Sequence, residues 1–123
     1  MALADIRSLV GRTVEQIWVW GPVRLVFALR DEPVYVDFWR CEFVDRAGEG
    51  VDINVSQAPR ESGAILELLG AEVLDASEDE GTLSLAFENG AQVRVTPDEH
   101  YESWTVGIGG DTATCLPGGD VSS

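Results

Sequence analysis

The chain has no lysine and a single histidine among its 123 residues. All eight basic residues are arginine, set against 22 acidic ones, for a formal net charge of −14. Arginine without lysine points to a GC-rich coding sequence rather than to a mechanism. A surface so poor in positive charge gains nothing by displacing counterions from a phosphate backbone, which sets DNA and RNA aside as partners. Anionic membranes are disfavoured on the same ground. Long apolar runs are also missing: none approaches the roughly 18 residues needed to span a bilayer. The first ten residues carry Asp5 and Arg7 and lack the basic start, apolar stretch and small-residue cleavage site of a signal peptide, so the expected location is the cytoplasm. There are only two cysteines, Cys41 and Cys115. With one histidine and no close cysteine spacing they do not build a four-ligand zinc site. In a reducing compartment they read as small, semi-buried side chains. Neither a cofactor nor a metal is expected.

What is present is ordinary globular material. The apolar fraction is 45%, far from the disordered range, and the length fits one domain, residues 1–123, able to bury a core without staples. The charge is uneven. Residues 1–62 hold ten acids and seven arginines, a net −3, whereas residues 63–123 hold twelve acids and one arginine, Arg94, a net −11. Such a half would steer in a basic protein partner; its plainer reading is solubility.

The chain also contains similar segments about 59 residues apart. Ile6, Leu9, Val10 and Gly11 run parallel to Ile65, Leu68, Leu69 and Gly70, and Gly21 to Phe27 runs parallel to Gly81 to Phe87. Val34-Tyr35-Val36 matches Val93-Arg94-Val95. A short apolar segment stopped by glycine reads as a helix with its C-terminal stop. Leu83-Ser84-Leu85-Ala86-Phe87 alternates at period two, the pattern of a half-buried strand, and Asn89-Gly90 is a strong hairpin signal. Val51 to Val55 alternates as an additional strand. These features predict an α+β fold: two helix-plus-antiparallel-meander repeats related by a pseudo-twofold, at about residues 5–44 and 64–106, with helices near 3–10 and 59–69.

Seven of the ten aromatics lie in the first half, and Ile17-Trp18-Val19-Trp20 is apolar on both faces of its strand. Such a strand must be covered on both faces. The cover is the chain's own core, or, in the sharper reading, a second copy in a homodimer built on the Trp18/Trp20 strand.

Catalytic constellations are scarce. Placed on one strand, Asp98, His100 and Glu102 would share a face, but adjacent side chains of one strand rarely converge on one ion. An Asp98–His100–Ser103 triad fails because Ser103 points to the other face. Gly107 to Gly110 has the glycine content of a phosphate loop but neither the helix nor the lysine. Glu102, on a face shared with Trp104 and Val106, is expected to pair with Arg94 on the neighbouring strand.

Tyr101-Glu102-Ser103-Trp104, the glycine-rich turn at 107–110 and Pro117-Gly118-Gly119 together resemble the closing signature of a bacterial domain family of unknown function. Gly81-x-Leu83-x-Leu85-x-Phe87-x-Asn89-Gly90 is similar to the same family upstream. The family's small acidic domains are similar in kind to the immunity proteins that neutralise bacterial toxins. The expectation is therefore a non-catalytic, acidic protein-binding domain, an immunity-type inhibitor of a basic toxin in its most concrete form. Its partner-binding residues would be Glu78, Asp79, Glu80, Asp98, Glu99, Tyr101 and Glu102. The alternatives are a small-molecule or metal-dependent enzyme or sensor with a pocket near Glu102 and His100, and a self-associating structural domain.

Overall fold

A computed structural model describes residues 2–28 and 32–123. These residues form eleven strands in two antiparallel sheets: β1 (Gln16–Val19), β2 (Val23–Ala28), β3 (Val34–Phe38), β4 (Arg40–Val44), β5 (Gly50–Asn54), β6 (Val73–Asp79), β7 (Thr82–Phe87), β8 (Gln92–Val95), β9 (Trp104–Ile108), β10 (Asp111–Cys115) and β11 (Val121–Ser122). One sheet has the order β1-β2-β3-β9-β10-β11 and the other β5-β4-β8-β7-β6.

The expected α+β class is thereby corrected: the chain is mostly β, with 48% strand and 12% helix. The segments read as helices are 3-10 turns, Ile6–Leu9 and Pro59–Leu68. The first has room for little more than one turn between its Asp5 cap and Gly11, which takes φ +88. The second opens on Pro59, carries Gly63 inside, and has the Ser62 hydroxyl bonded back to the Pro59 carbonyl. A glycine in a helix interior costs about 1 kcal/mol, and a hydroxyl bonded back to the chain competes with the α-helical ladder.

The expected units are corrected as well. Residues 5–44 and 64–106 are not two self-contained helix–meander repeats, and the part of the first at 29–31 lies outside the described residues. After β3 the chain turns a corner at Trp39, and β4 leaves for the second sheet, where it pairs with β8. β9 likewise leaves β8 and pairs with β3 in the first sheet, Val36 opposite Val106 and Phe38 opposite Trp104. The sheets are also tied by backbone bonds between residues 11–14 and 70–73: Gly11 N to Val73 O at 2.8 Å, and Gly70 N to Val14 O at 2.9 Å.

The core lies between the sheets. Alternating residues point inward, Val23, Leu25, Val36 and Val106 from one sheet and Phe43, Leu83, Leu85 and Val93 from the other, all at 2% exposure or less. Ile65, Leu68 and Leu9 from the 3-10 turns join the same cluster. Trp104 is buried in it and donates its indole N–H to the Gly81 carbonyl at 2.8 Å, which ties β9 to the β6–β7 turn. No helix among the described residues is long and apolar enough to cross a membrane.

Candidate functional site

The acidic residues singled out from the sequence lie at the end of β6, in the turn that follows it, and in the loop after β8. β6 ends in Glu78 and Asp79, and Glu80 takes φ 50 in the turn to β7, where the Gly81 N–H donates to the Glu78 carboxylate at 2.8 Å. Gly81 itself, at φ +87, packs so closely on Gly119 that a Cβ there would overlap the Gly119 backbone. Gly119 in turn lies beside the Glu80 carbonyl and Pro97, and Gly118 N–H donates to the Asp98 carbonyl at 2.8 Å. The C-terminal Pro-Gly-Gly turn thus joins the Glu78–Glu80 turn to the segment carrying Asp98 and Glu99.

Residues 96–103 form a loop, not the strand on which the sequence pattern placed them. Pro97 interrupts the chain after β8, and Asp98 organises the rest of the loop: its carboxylate accepts from the His100 N–H at 2.7 Å, and its own N–H donates to Ser103 Oγ at 2.7 Å. The Pro-Asp pair was the available signal, since proline followed by aspartate initiates turns. Glu99, His100, Tyr101 and Glu102 are exposed, whereas Ser103 and Trp104 are buried. Glu102 therefore does not pair with Arg94. The carboxylate facing Arg94 is Glu42, its register partner across β4–β8, at 3.9 Å. Among the described residues no three His, Cys, Asp or Glu side chains are grouped to hold a metal ion.

Between this loop and the β4–β5 hairpin lies a cleft of about 280 Å³ lined by Arg40, Glu42, Asp52, Arg94, Asp98 and Tyr101. Arg40, whose register partner is Asn54, reaches diagonally across β4–β5 to Asp52 and forms a bidentate pair with it. Their hydrogen bond raises the Arg40 pKa and lowers that of Asp52. Burial, then the charge of Asp98, raises the Tyr101 phenol, which keeps its proton and remains a hydrogen-bond donor. Cys41, at 2% exposure, forms part of the cleft wall; burial pushes its thiol up to about 12, so it is not a nucleophile at neutral pH.

A second surface, on the outer face of the first sheet, contains the Trp18 and Trp20 singled out from the sequence, together with Arg24, Tyr35 and Asp37, which sequence reasoning passed over. Arg24 and Asp37 are opposite one another on β2 and β3 and form a bidentate pair at 2.7 and 2.8 Å. The Arg24 guanidinium lies 4.1 Å from the Tyr35 ring centroid and 5.7 and 5.8 Å from those of Trp18 and Trp20. Tyr35 lies flat over Gly107, where any Cβ would collide with its ring. Trp39 packs over Gly21 in the β1–β2 turn. The cover expected for the two-sided β1 strand is thus incomplete: Trp18, Val19 and Trp20 are 39%, 51% and 65% exposed. The signal was the arginine between Val23 and Leu25, an outward position on a strand that already had aromatic neighbours.

No curated protein and no solved structure matches the chain. A family model described as "Family of unknown function (DUF6188)" matches residues 5–123, a span that includes the 78–81 turn, the 96–103 loop and the Pro-Gly-Gly turn between them. The chain belongs to that family of unknown function.

Proposed function

We propose that the chain is a non-catalytic protein-binding domain whose acidic end docks a basic protein. The observation that carries the reading is the junction through Gly118 and Gly119, which gathers Glu78, Asp79, Glu80, Asp98 and Glu99 at one end beside exposed Tyr101. Glu78 and Asp98 each accept one backbone N–H of their own turn, but like charges so gathered still repel one another. A cationic partner removes that repulsion, and its approach is accelerated by the field. An exposed tyrosine with a protonated hydroxyl supplies the kind of contact that holds an interface once formed. Glu102, on the far side of Tyr101, extends the surface toward Trp39 and Asn54. The most concrete form of this reading is an immunity-type inhibitor that covers the basic catalytic domain of a bacterial toxin; small size and a net charge of −14 support it.

The test is capture of the partner from the native host, followed by association kinetics as a function of salt. Replacing Glu78, Asp79 and Glu80 with serine should slow association about threefold to tenfold and flatten its salt dependence. At low salt the unfolding midpoint should not fall, because the relieved repulsion outweighs the lost Glu78 contact to the Gly81 N–H. An unchanged association rate in that triple variant would remove the physical basis of the proposal.

A further inference from the structure

The four sheet edges are not equivalent. β11 is two residues long. β6 carries Asp75, Glu78 and Asp79, has a register shift between Val73 and Asp75, and lies against the first 3-10 helix. β5 carries Asp52, paired to Arg40, and lies against the second 3-10 helix. Short length, charge, bulges and covering elements are the devices by which native sheets keep an edge from pairing with another chain. β1, at the outer end of the first sheet, is four residues long, twice the length of β11, and among the described residues it lacks the other devices: Gln16-Ile17-Trp18-Val19 holds no charge and no proline, and its register with β2 is unbroken.

The side chains on this edge are also held in place. The Trp18 indole N–H donates to Gln16 Oε1 at 2.8 Å, and Arg24, clamped by Asp37, lies against both Trp18 and Trp20. Tryptophan, tyrosine and arginine dominate binding hot spots, and side chains already fixed lose little freedom on association. Charge then selects the occupant. The Arg24–Asp37 ion pair on this face is neutral overall, so two such faces meet without local repulsion. Glu78 and Asp79 stand on β6, in the other sheet.

We propose that two copies of this chain associate through β1, edge to edge and antiparallel, to form one continuous sheet. A twofold axis perpendicular to that sheet keeps outer faces together; placed at Trp18, the middle of the aromatic patch, it sets Trp18 opposite its own counterpart and Ile17 opposite Val19. The four tryptophans at positions 18 and 20 then form one cluster over the two Arg24–Asp37 pairs. Aromatic cross-strand pairs of this kind are favourable.

Sedimentation velocity across a concentration series tests it. The wild type should show a species of twice 13.3 kDa. Its fraction should rise with salt, because screening weakens the repulsion between two −14 molecules. Val19→Lys and, separately, Trp18→Lys should leave only monomer, since lysine on an edge strand blocks pairing. Val19→Lys, at a position 51% exposed, should keep the wild-type unfolding midpoint. The Glu78, Asp79 and Glu80 serine variant should dimerise at least as well as the wild type, which separates this surface from the acidic end. A wild type that stays monomeric at about 1 mM, a dimer that survives Val19→Lys, or a dimer that weakens with salt would each overturn the proposal.

Discussion

At the scale of single residues, glycine does two distinct jobs. Gly81 is needed for its left-handed backbone and for its approach to Gly119. Gly107 has no such backbone demand; it is small because the Tyr35 ring lies directly on it. Gly107→Ala would force Tyr35 off the sheet, and Arg24 would lose the ring beneath its guanidinium. One cation–π contact of this kind is worth about 0.5–1 kcal/mol where exposed, and overpacking adds about 1–3 kcal/mol. The variant should therefore unfold at lower urea, destabilised by about 1–3 kcal/mol, with a changed tryptophan emission because Trp18 and Trp20 share the displaced Arg24. An unchanged emission spectrum would show that the tryptophans are placed independently of Tyr35. Gly107 stood in the sequence as part of a glycine-rich turn. Its role was not legible there, because only the cross-strand register of β3 with β9, Tyr35 opposite Gly107, reveals it.

At the scale of elements, period two was legible and partnership was not. Leu83, Leu85 and Phe87 alternate inward along β7 as their spacing predicts. The Asn89-Gly90 turn closes the β7–β8 hairpin, with Gly90 at φ +93 and the Asn89 side chain accepting from Ala91 N–H. A strand pattern states which face is buried but not which strand lies alongside. That is why the departures of β4 to the second sheet and of β9 to the first were not foreseen. The reading of Glu102 failed for a related reason. Its spacing from Trp104 fits a strand, but Pro97 and the Asp98 cap make 96–103 a loop. Trp104 is the clearest link between elements, since one side chain fills the core and bonds the Gly81 carbonyl across to the other sheet. Trp104→Phe removes the N–H donor, leaves that carbonyl without its partner and opens a small cavity. The expected cost is about 2–4 kcal/mol, from an unsatisfied buried acceptor together with lost packing. Urea denaturation measures it, and a cost below about 1 kcal/mol would mean the Gly81 carbonyl finds another partner.

At the scale of the whole molecule, the governing fact is the charge. Most of the acids have no arginine to answer them: 22 acids face eight arginines, and the ion pairs among the described residues join Arg24 to Asp37, Arg40 to Asp52, Arg46 to Glu67 and Arg94 to Glu42. The last three involve arginines more than half exposed, where a pair is worth about 0–1 kcal/mol. Folding brings the remaining carboxylates closer than they stand in the unfolded chain, most of all where the 78–81 turn, the 97–98 segment and the Pro-Gly-Gly turn meet. Self-repulsion at this net charge opposes the compact state. Salt screens charges over about 8 Å at physiological ionic strength and about 3 Å at 1 M. Screening should therefore relieve the repulsion between turns before it touches the short Arg24–Asp37 contact. The melting temperature should rise as sodium chloride is added from about 0.01 M to 0.5 M, by several degrees if the relief reaches about 1 kcal/mol in a domain of this size. The Glu78, Asp79 and Glu80 serine variant should start from a higher melting temperature at low salt and gain less from added salt, because part of the repulsion has been removed. Scanning calorimetry of both proteins at a fixed low concentration, where self-association does not contribute, decides the matter. Equal salt responses in the two would place the repulsion elsewhere on the surface and show that the acidic turns are electrostatically relaxed in the folded chain.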